Sequence, residues 1–475
     1  MHTREVRPPN LTDVRGLPVT ASSAASVAAY DQALESLLSF TGDPLGTVEA
    51  ALRADPGFVL GHCLRADLLL LATDRRYVPE ALGSIVRAEE LAGDATERER
   101  WHVAAARAWA DGEFQRAADL WERALLEAPR DALALIAAHQ ADFFLGASQS
   151  LRDRIARVLP AWAPDVPGYG YVLGMYAFGL EETGDYPAAE EHGHHAVELN
   201  PRDAWAVHAV AHTYEMQGRL ADGVSWLTTR EDDWARDNFF AIHNWWHLSL
   251  YHLDLEQPAA VLDVYDTRIR RDRSQELLNL LDASALLWRL GLSEVDVGDR
   301  WPEVAGAWRG HVDDGWYAFN DAHAMMAFAT LGDEASATAL LGALHRAAEG
   351  RGTNAMMSRD VGLPTARALW AFGTGRYDET LEHLLPVRHL AARFGGSHAQ
   401  RDLVHMTCIE AAHRGGNHRL ARALLNERLA LKPASPHNWL WLARSLAAAG
   451  DADGAAGARR RAHDLRGVGA GAAGA

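Results

Sequence analysis

A single lysine, Lys432, stands among 475 residues; the other basic side chains are arginine or histidine. That scarcity removes most Schiff-base chemistry and the phosphate-binding lysine of a P-loop. Pyridoxal phosphate enzymes and P-loop nucleotide hydrolases are therefore excluded as readings. Cysteine is nearly as rare: Cys63 and Cys408 lie far apart, so no disulfide framework exists and a reducing, cytoplasmic compartment is the expectation. No apolar run is long enough to span a bilayer, and the opening MHTREVRPPNLTDVRGLPVT lacks the apolar stretch of a signal peptide. No membrane partner is expected. The formal net charge of -18, with no basic run to track phosphates, argues against nucleic acid as well. The glycines of GYGYVLG (168–174) follow no strand pattern, so they are not a dinucleotide fingerprint. No GxSxG, CxxC or HExxH segment occurs.

Strand-type alternation is also scarce, and what replaces it is a period. With 48% hydrophobic and 23% charged residues the chain can bury a large core. In the stretch from Arg98, Trp101 opens a first helix, Gly112 makes a turn, Ala117, Trp121 and Ala124 stripe a second helix, and Pro129 closes the unit. The unit from Gly170 repeats this with Gly184, Tyr186, Ala189, Ala196 and Pro201, and both the turn glycines and the closing prolines are offset by 72 residues. Gly218 follows Gly184 by 34, and Gly450 follows Gly416 by 34, with Ala421, Pro433, Trp439, Ala443, Ala455 and Ala462 in matching places. A 34-residue helix–turn–helix period is that of tetratricopeptide repeats, whose units stack to bury one continuous core.

The expected fold is therefore all-α, a tetratricopeptide-like superhelix (an α-solenoid) that closes around an interior pocket. Residues 1–25 read as an extended segment and 26–466 as one helical-repeat domain, clearest at 98–131, 170–203, 204–237, 402–435 and 436–466. The region from about 275 to 400 is more divergent but still reads as paired helices. The Gly/Ala-rich residues 467–475 read as a disordered tail.

Two histidine pairs sit on this frame. His208 and His212 are four apart, as are His243 and His247, and 35 residues separate the pairs. Residues at i and i+4 share a helix face, so each pair presents two imidazoles side by side on equivalent helices of neighbouring repeats. Glu215 falls in the same register, and Asp282 repeats the His247 position 35 residues on, inside the apolar run LLNLLDASALLW. A lone histidine is more often a satisfied core residue; two in-register pairs with an aligned carboxylate point to a site. Asp131 and Asp203, each in a Pro-Arg-Asp junction, read as helix caps, and Asp360 and Asp402 also fit that role. Asp321 with His323 is harder to assign to capping, because the segment WYAFNDAHAMMAF is otherwise apolar. His192, His194 and His195 lie beside Glu190 and Glu191 and read as a solvated outer face.

The chain resembles the tetratricopeptide repeat protein 38 family over nearly its whole length. The matching segments are ADPGFVLGH (54–62), RERWHVAA (98–105), DAWAVHAVAHTYEM (203–216), IHNWWH (242–247), FNDAH (319–323), RDVGLP (359–364) and GGSHAQRD (395–402). The resemblance implies an α-helical repeat fold and carries no activity, substrate or cofactor with it. The family's two His-x3-His segments match His208, His212, His243 and His247. Its Asn-Asp-Ala-His and two Arg-Asp segments match Asn320, Asp321, His323, Arg359, Asp360, Arg401 and Asp402. At 139–142, HQAD departs from the family's His-Asp-Ala-Tyr type of segment, which puts a role for that stretch in doubt.

Two functions of different class follow. In the first, the interior is a pocket for a small polar ligand, with His208, His212, His243, His247, Asp321 and His323 as catalytic groups. The four paired histidines are then possible ligands of a divalent metal; without one, a His–Asp pair serves as general base. Glu215, Asn244, Trp246, Asp282, Asn320, Arg359, Asp360, Arg401 and Asp402 are its ligand-binding candidates, the arginines suiting a carboxylate or phosphate. In the second, the chain is a scaffold that holds a peptide or partner protein in its groove. The lysine-and-asparagine clamp common in such grooves is disfavoured by the single lysine.

Overall fold

Helix starts and stops account for most of the architecture. Asp131 and Asp203 accept the backbone N–H of Ala134 and Ala206, and Thr96 and Ser397 each open a helix with a reciprocal capping box. These side chains satisfy donors that the first helical turn leaves free. The turns inside the pairs fall on left-handed backbone, at φ 79° for Gly112, 85° for Gly184, 69° for Gly218, 76° for Gly416 and 84° for Gly450. A residue with a Cβ is strained there, which is why glycine recurs at the repeat period. The computed structural model describes the backbone of residues 11–472 and the side chains of residues 11–466. Among them are 26 α-helices and one two-stranded antiparallel hairpin, Leu11–Thr12 with Pro18–Val19. The chain is an all-α, tetratricopeptide-like helical-repeat protein.

The helices fall into two kinds. Outer ones are amphipathic: Tyr186–Leu199 buries only Ala189, Gly193, Ala196 and Val197. Inner ones are buried nearly all round. Ala132–Phe144 buries 11 of 13 residues, Ala204–Gln217 12 of 14, Leu277–Leu292 13 of 16 and Ala318–Leu331 12 of 14. A helix apolar on every side belongs inside a core, and Leu277–Leu292 packs there against Ala318–Leu331 and His398–Arg414. The indole N–H of Trp288 donates to Thr407 at 3.0 Å, and the Arg289 guanidinium donates to the Ala399 carbonyl.

Successive turns of the coil also touch. Asn320 donates to the Thr73 carbonyl (3.0 Å), the Gln115 amide to Thr353 (3.0 Å), the His398 amide to Glu182 (2.7 Å) and Lys432 to Glu215 (2.9 Å). These partners are 247, 238, 216 and 217 residues apart. The interior is thus closed over and largely filled. The N-terminal hairpin is fastened where Arg98 donates to the Pro18 carbonyl and Thr20 to Glu99.

Helix Ala452–Ala472 runs into the Gly/Ala segment 467–475, whose backbone is described as far as residue 472. Residues 473–475 of that segment, and 1–10 of the expected extended segment, lie outside the described residues. Asp360 and Asp402 are not caps: the first lies in a π-helical turn, Ser358–Gly362, and the second within helix His398–Arg414, which Ser397 caps.

Candidate metal centre

Helices Ala204–Gln217 and Ala241–Asp254 set the geometry. They are joined where Asn244 donates to the Ala204 carbonyl (3.2 Å) and the Tyr251 hydroxyl donates to the Ala211 carbonyl. Gly223 makes room for that tyrosine: a Cβ there would sit 2.1 Å from Cζ of the Tyr251 ring. The two His pairs then face each other. Ring centroids are 4.4 Å apart for His208 and His212, 4.9 Å for His243 and His247, and 4.3 Å for His212 and His247 across the helices. One nitrogen from each of the four rings lies within 4.8 Å of the others.

The carboxylates behind the rings select which nitrogens face inward. His243 Nδ1 lies 2.9 and 3.0 Å from the two Asp282 oxygens, and His247 Nδ1 lies 3.2 Å from Glu215. Glu181 stands 3.4 Å from His212 Nδ1. A carboxylate on one ring nitrogen fixes the tautomer and makes the other nitrogen the better donor to a cation. Both ring nitrogens of His208 and His212, and Nε2 of His247, are buried with no hydrogen-bond partner. Leaving such groups unsatisfied costs about 1–3 kcal/mol each.

Burial lowers the pKa of His208, His212 and His247, the neighbouring imidazoles adding to it, so these rings are neutral donors near pH 7. Burial alone would raise Glu215, but the Lys432 ammonium and the His247 bond hold it well below the usual carboxyl range. Lys432 is in turn kept above its ordinary value by Glu215 and Asp402 in spite of its own burial. Burial, reinforced by Glu182, pushes Glu181 far up. Phe178, Trp205, Phe240 and Trp246 wall the cluster, with Trp246 stacked on His243 at 5.3 Å.

Four imidazoles with the carboxylates of Asp282 and Glu215 behind them fit a divalent transition metal; zinc, copper, iron and nickel all accept imidazole nitrogen. Beyond Glu215 opens a charged cavity lined by Arg289, Asp402, Arg428 and Lys432.

The structure thus gathers His208, His212, His243 and His247 with Glu215, Asp282 and Trp246, while Asn244 serves the helix junction. Arg401 donates to Glu182 at 3.1 Å, next to Glu181, and Asp402 accepts from Arg428. The remaining candidates have other surroundings. His323 donates from Nδ1 to the Phe319 carbonyl at 2.8 Å, and burial lowers it to about 4, as for a satisfied core histidine. Asn320 and Asp321 face the segment around Thr73. Arg359 and Asp360 form a surface ion-pair group with Arg393.

Three contributors escaped the sequence reading. Glu181 lies 34 residues before Glu215, a periodic signal that was available. Lys432 pairs across the coil and gives no local signal. His139 is buried beside Phe178 and Trp205, and its charge would be felt at His208.

No family model matches the chain. Among solved structures it is similar to the human IFIT1 dimer with m7Gppp-AAAA, at 15% identity over 86% of this chain and 90% of that one, with a TM-score of 0.35. It is also similar to yeast Tom70, at 14% identity over 93% of this chain and 92% of that one, with a TM-score of 0.33. Likenesses at this level carry nothing about ligand or partner.

Proposed function

We propose that this chain is a metal-binding helical-repeat protein whose His208, His212, His243 and His247 hold one divalent transition-metal ion. The observation that carries the reading is the set of buried, unpartnered ring nitrogens converging from two helices, with carboxylates behind the rings. When bound, the ion supplies Lewis acidity and fixed positive charge. The protein's own part is separate. Asp282 and Glu215 orient His243 and His247, and Lys432 keeps Glu215 ionised. The aromatic wall excludes water. The cavity beyond Glu215, with Arg289, Arg428 and Lys432, suits the carboxylate or phosphate of a small polar substrate.

Elemental analysis of the tag-free protein tests this, beside a His208→Ala/His247→Ala variant checked for native circular dichroism. Cobalt absorption of the wild type serves as a second readout, independent of whether the variant folds. The expected result is stoichiometric metal in the wild type, lost in the variant, and a tetrahedral-type Co2+ spectrum. Absence of metal together with no saturable cobalt or zinc uptake by the wild type would sink the proposal.

A second reading, a scaffold for a peptide or partner protein, has the repeat architecture itself in its favour. We also place the chain with the tetratricopeptide repeat protein 38 family on its matching segments. A cytoplasmic setting accords with the free, buried Cys63 and Cys408, and nucleic acid remains an unexpected partner at a net charge of -18.

A further inference from the structure

Far from the histidine pairs along the chain, a second group of ligand-type side chains gathers where the coil's turns meet. Segment 73–75, just after helix Val59–Leu71, lies against residues 311–321, which lead into helix Ala318–Leu331. Arg75 donates to the Asp313 carbonyl (3.0 Å) and the Asp314 carbonyl (2.5 Å), and Asn320 donates to the Thr73 carbonyl (3.0 Å) and hydroxyl (3.1 Å). Asp74, His311 and Asp314 each bring a ligand atom within 4.8 Å of the others. His311 Nδ1 is 2.7 Å from Asp314 Oδ2.

An acidic cluster alone would say little, because carboxylates gather on surfaces without a ligand. Here two further oxygens, outside that group, face a small cavity that His311 and Asp314 share with them. Asp321 is 4% exposed and its Oδ2 has no hydrogen-bond partner; Asn320 is 6% exposed and its Oδ1 has none either. Both residues line one small enclosed cavity with Thr73, His311 and Asp314. It leaves about 10 Å³ for the centre of a water-sized particle, room for a single ion or water. An open cavity of about 650 Å³ shares Asp314 and Trp316 with it.

The charges narrow the occupant. Arg76 already covers Asp74, with Nη2 to Oδ2 at 2.6 Å, which leaves Asp314 and Asp321 without a guanidinium partner of their own. Two uncovered carboxylates match a divalent cation. Carboxylate and amide oxygens with one imidazole suit Mn2+ better than the all-imidazole set of the other centre.

We propose that Asp74, His311, Asp314 and Asp321, with the Asn320 carbonyl oxygen, form a second divalent-cation site of the Mn2+ class that clasps the first turn of the superhelix to the next. This site does not depend on the four-histidine reading, since the two share no donor. The ion bridges segments almost 240 residues apart, so its presence is read at both.

The test is Mn2+ titration of the chelator-stripped, tag-free full chain, with free Mn2+ followed by electron paramagnetic resonance. Wild type is compared with Asp321→Asn and His311→Gln. Asn reproduces the shape of the Asp321 side chain, so the first variant keeps the fold, and the second guards against the case in which it does not. The expected result is a saturable site in the wild type that weakens about tenfold or more in each variant. Hydrogen exchange at residues 73–78 and 311–321 slows on adding Mn2+ to the wild type and not to the Asp321→Asn protein. Mn2+ uptake that is absent from the wild type, or equal in all three proteins, overturns the proposal.

Discussion

Replacing Asp282 with Asn should weaken metal binding at the four-histidine centre while leaving its stoichiometry and the fold intact. Asp282 lies 2.9 and 3.0 Å from His243 Nδ1 and is 3% exposed, so the contact is shielded from solvent screening. Asn keeps the shape and one acceptor oxygen but removes the negative charge that makes the imidazole a stronger donor. His243 does not rely on Asp282 alone for its orientation, because Trp246 stacks on it with the ring planes 13° apart. The substitution therefore isolates charge from geometry. Loss of such a supporting carboxylate typically lowers metal affinity about 10–100-fold, or about 1.4–2.7 kcal/mol. Competition against a chromophoric chelator at fixed pH measures it directly. A dissociation constant within about twofold of wild type, in a protein that still binds a full equivalent, would refute the claim that the carboxylate tunes this centre.

Two further outcomes follow from buried charge and buried neutrality. Burial lowers His139 from 6.5 to about 3, so the unfolded chain takes up a proton near pH 6.5 that the folded chain refuses. Stability from this residue is therefore lost as pH falls through 6.5, by about 2 kcal/mol at pH 5. Urea unfolding at pH 8 and pH 5 should show His139→Phe losing about that much less than wild type. An identical pH dependence in both proteins would mean that His139 titrates normally. Lys432→Met leaves Glu215 ionised in a closed site and should cost about 3–5 kcal/mol, much of it recovered in Glu215→Gln/Lys432→Met. Denaturation midpoints decide this, and a single variant as stable as wild type would contradict a buried, coupled pair.

Much of this was written in local patterns. A Gly at φ near 80°, an Asp before a helix and an Ala/Trp stripe are each dictated within a few residues, so the repeats are legible from their period. The histidine pairs are legible for the same reason: i and i+4 share a face whatever the rest of the chain does. Asp321 and His323 show where this stops. Two residues apart on a helix, they point about 200° around its axis from one another. They cannot serve one pocket, and one meets Thr73's neighbourhood while the other bonds within its own helix. Partners such as Lys432 for Glu215, or Thr73 for Asn320, depend on the pitch of the whole superhelix, which no local spacing encodes.

The closure of the coil on itself also orders events in time. The four histidines and Asp282 leave the ribosome 150 residues before Lys432, which completes the charge set around Glu215. At about 5–20 residues per second that interval is on the order of 8–30 s. During it the inner helices have their neighbours but not their cover, so an ion can reach the imidazoles through an unfinished wall. If the four histidines hold an ion as proposed, what the compartment offers at synthesis counts beside relative affinity in deciding which one.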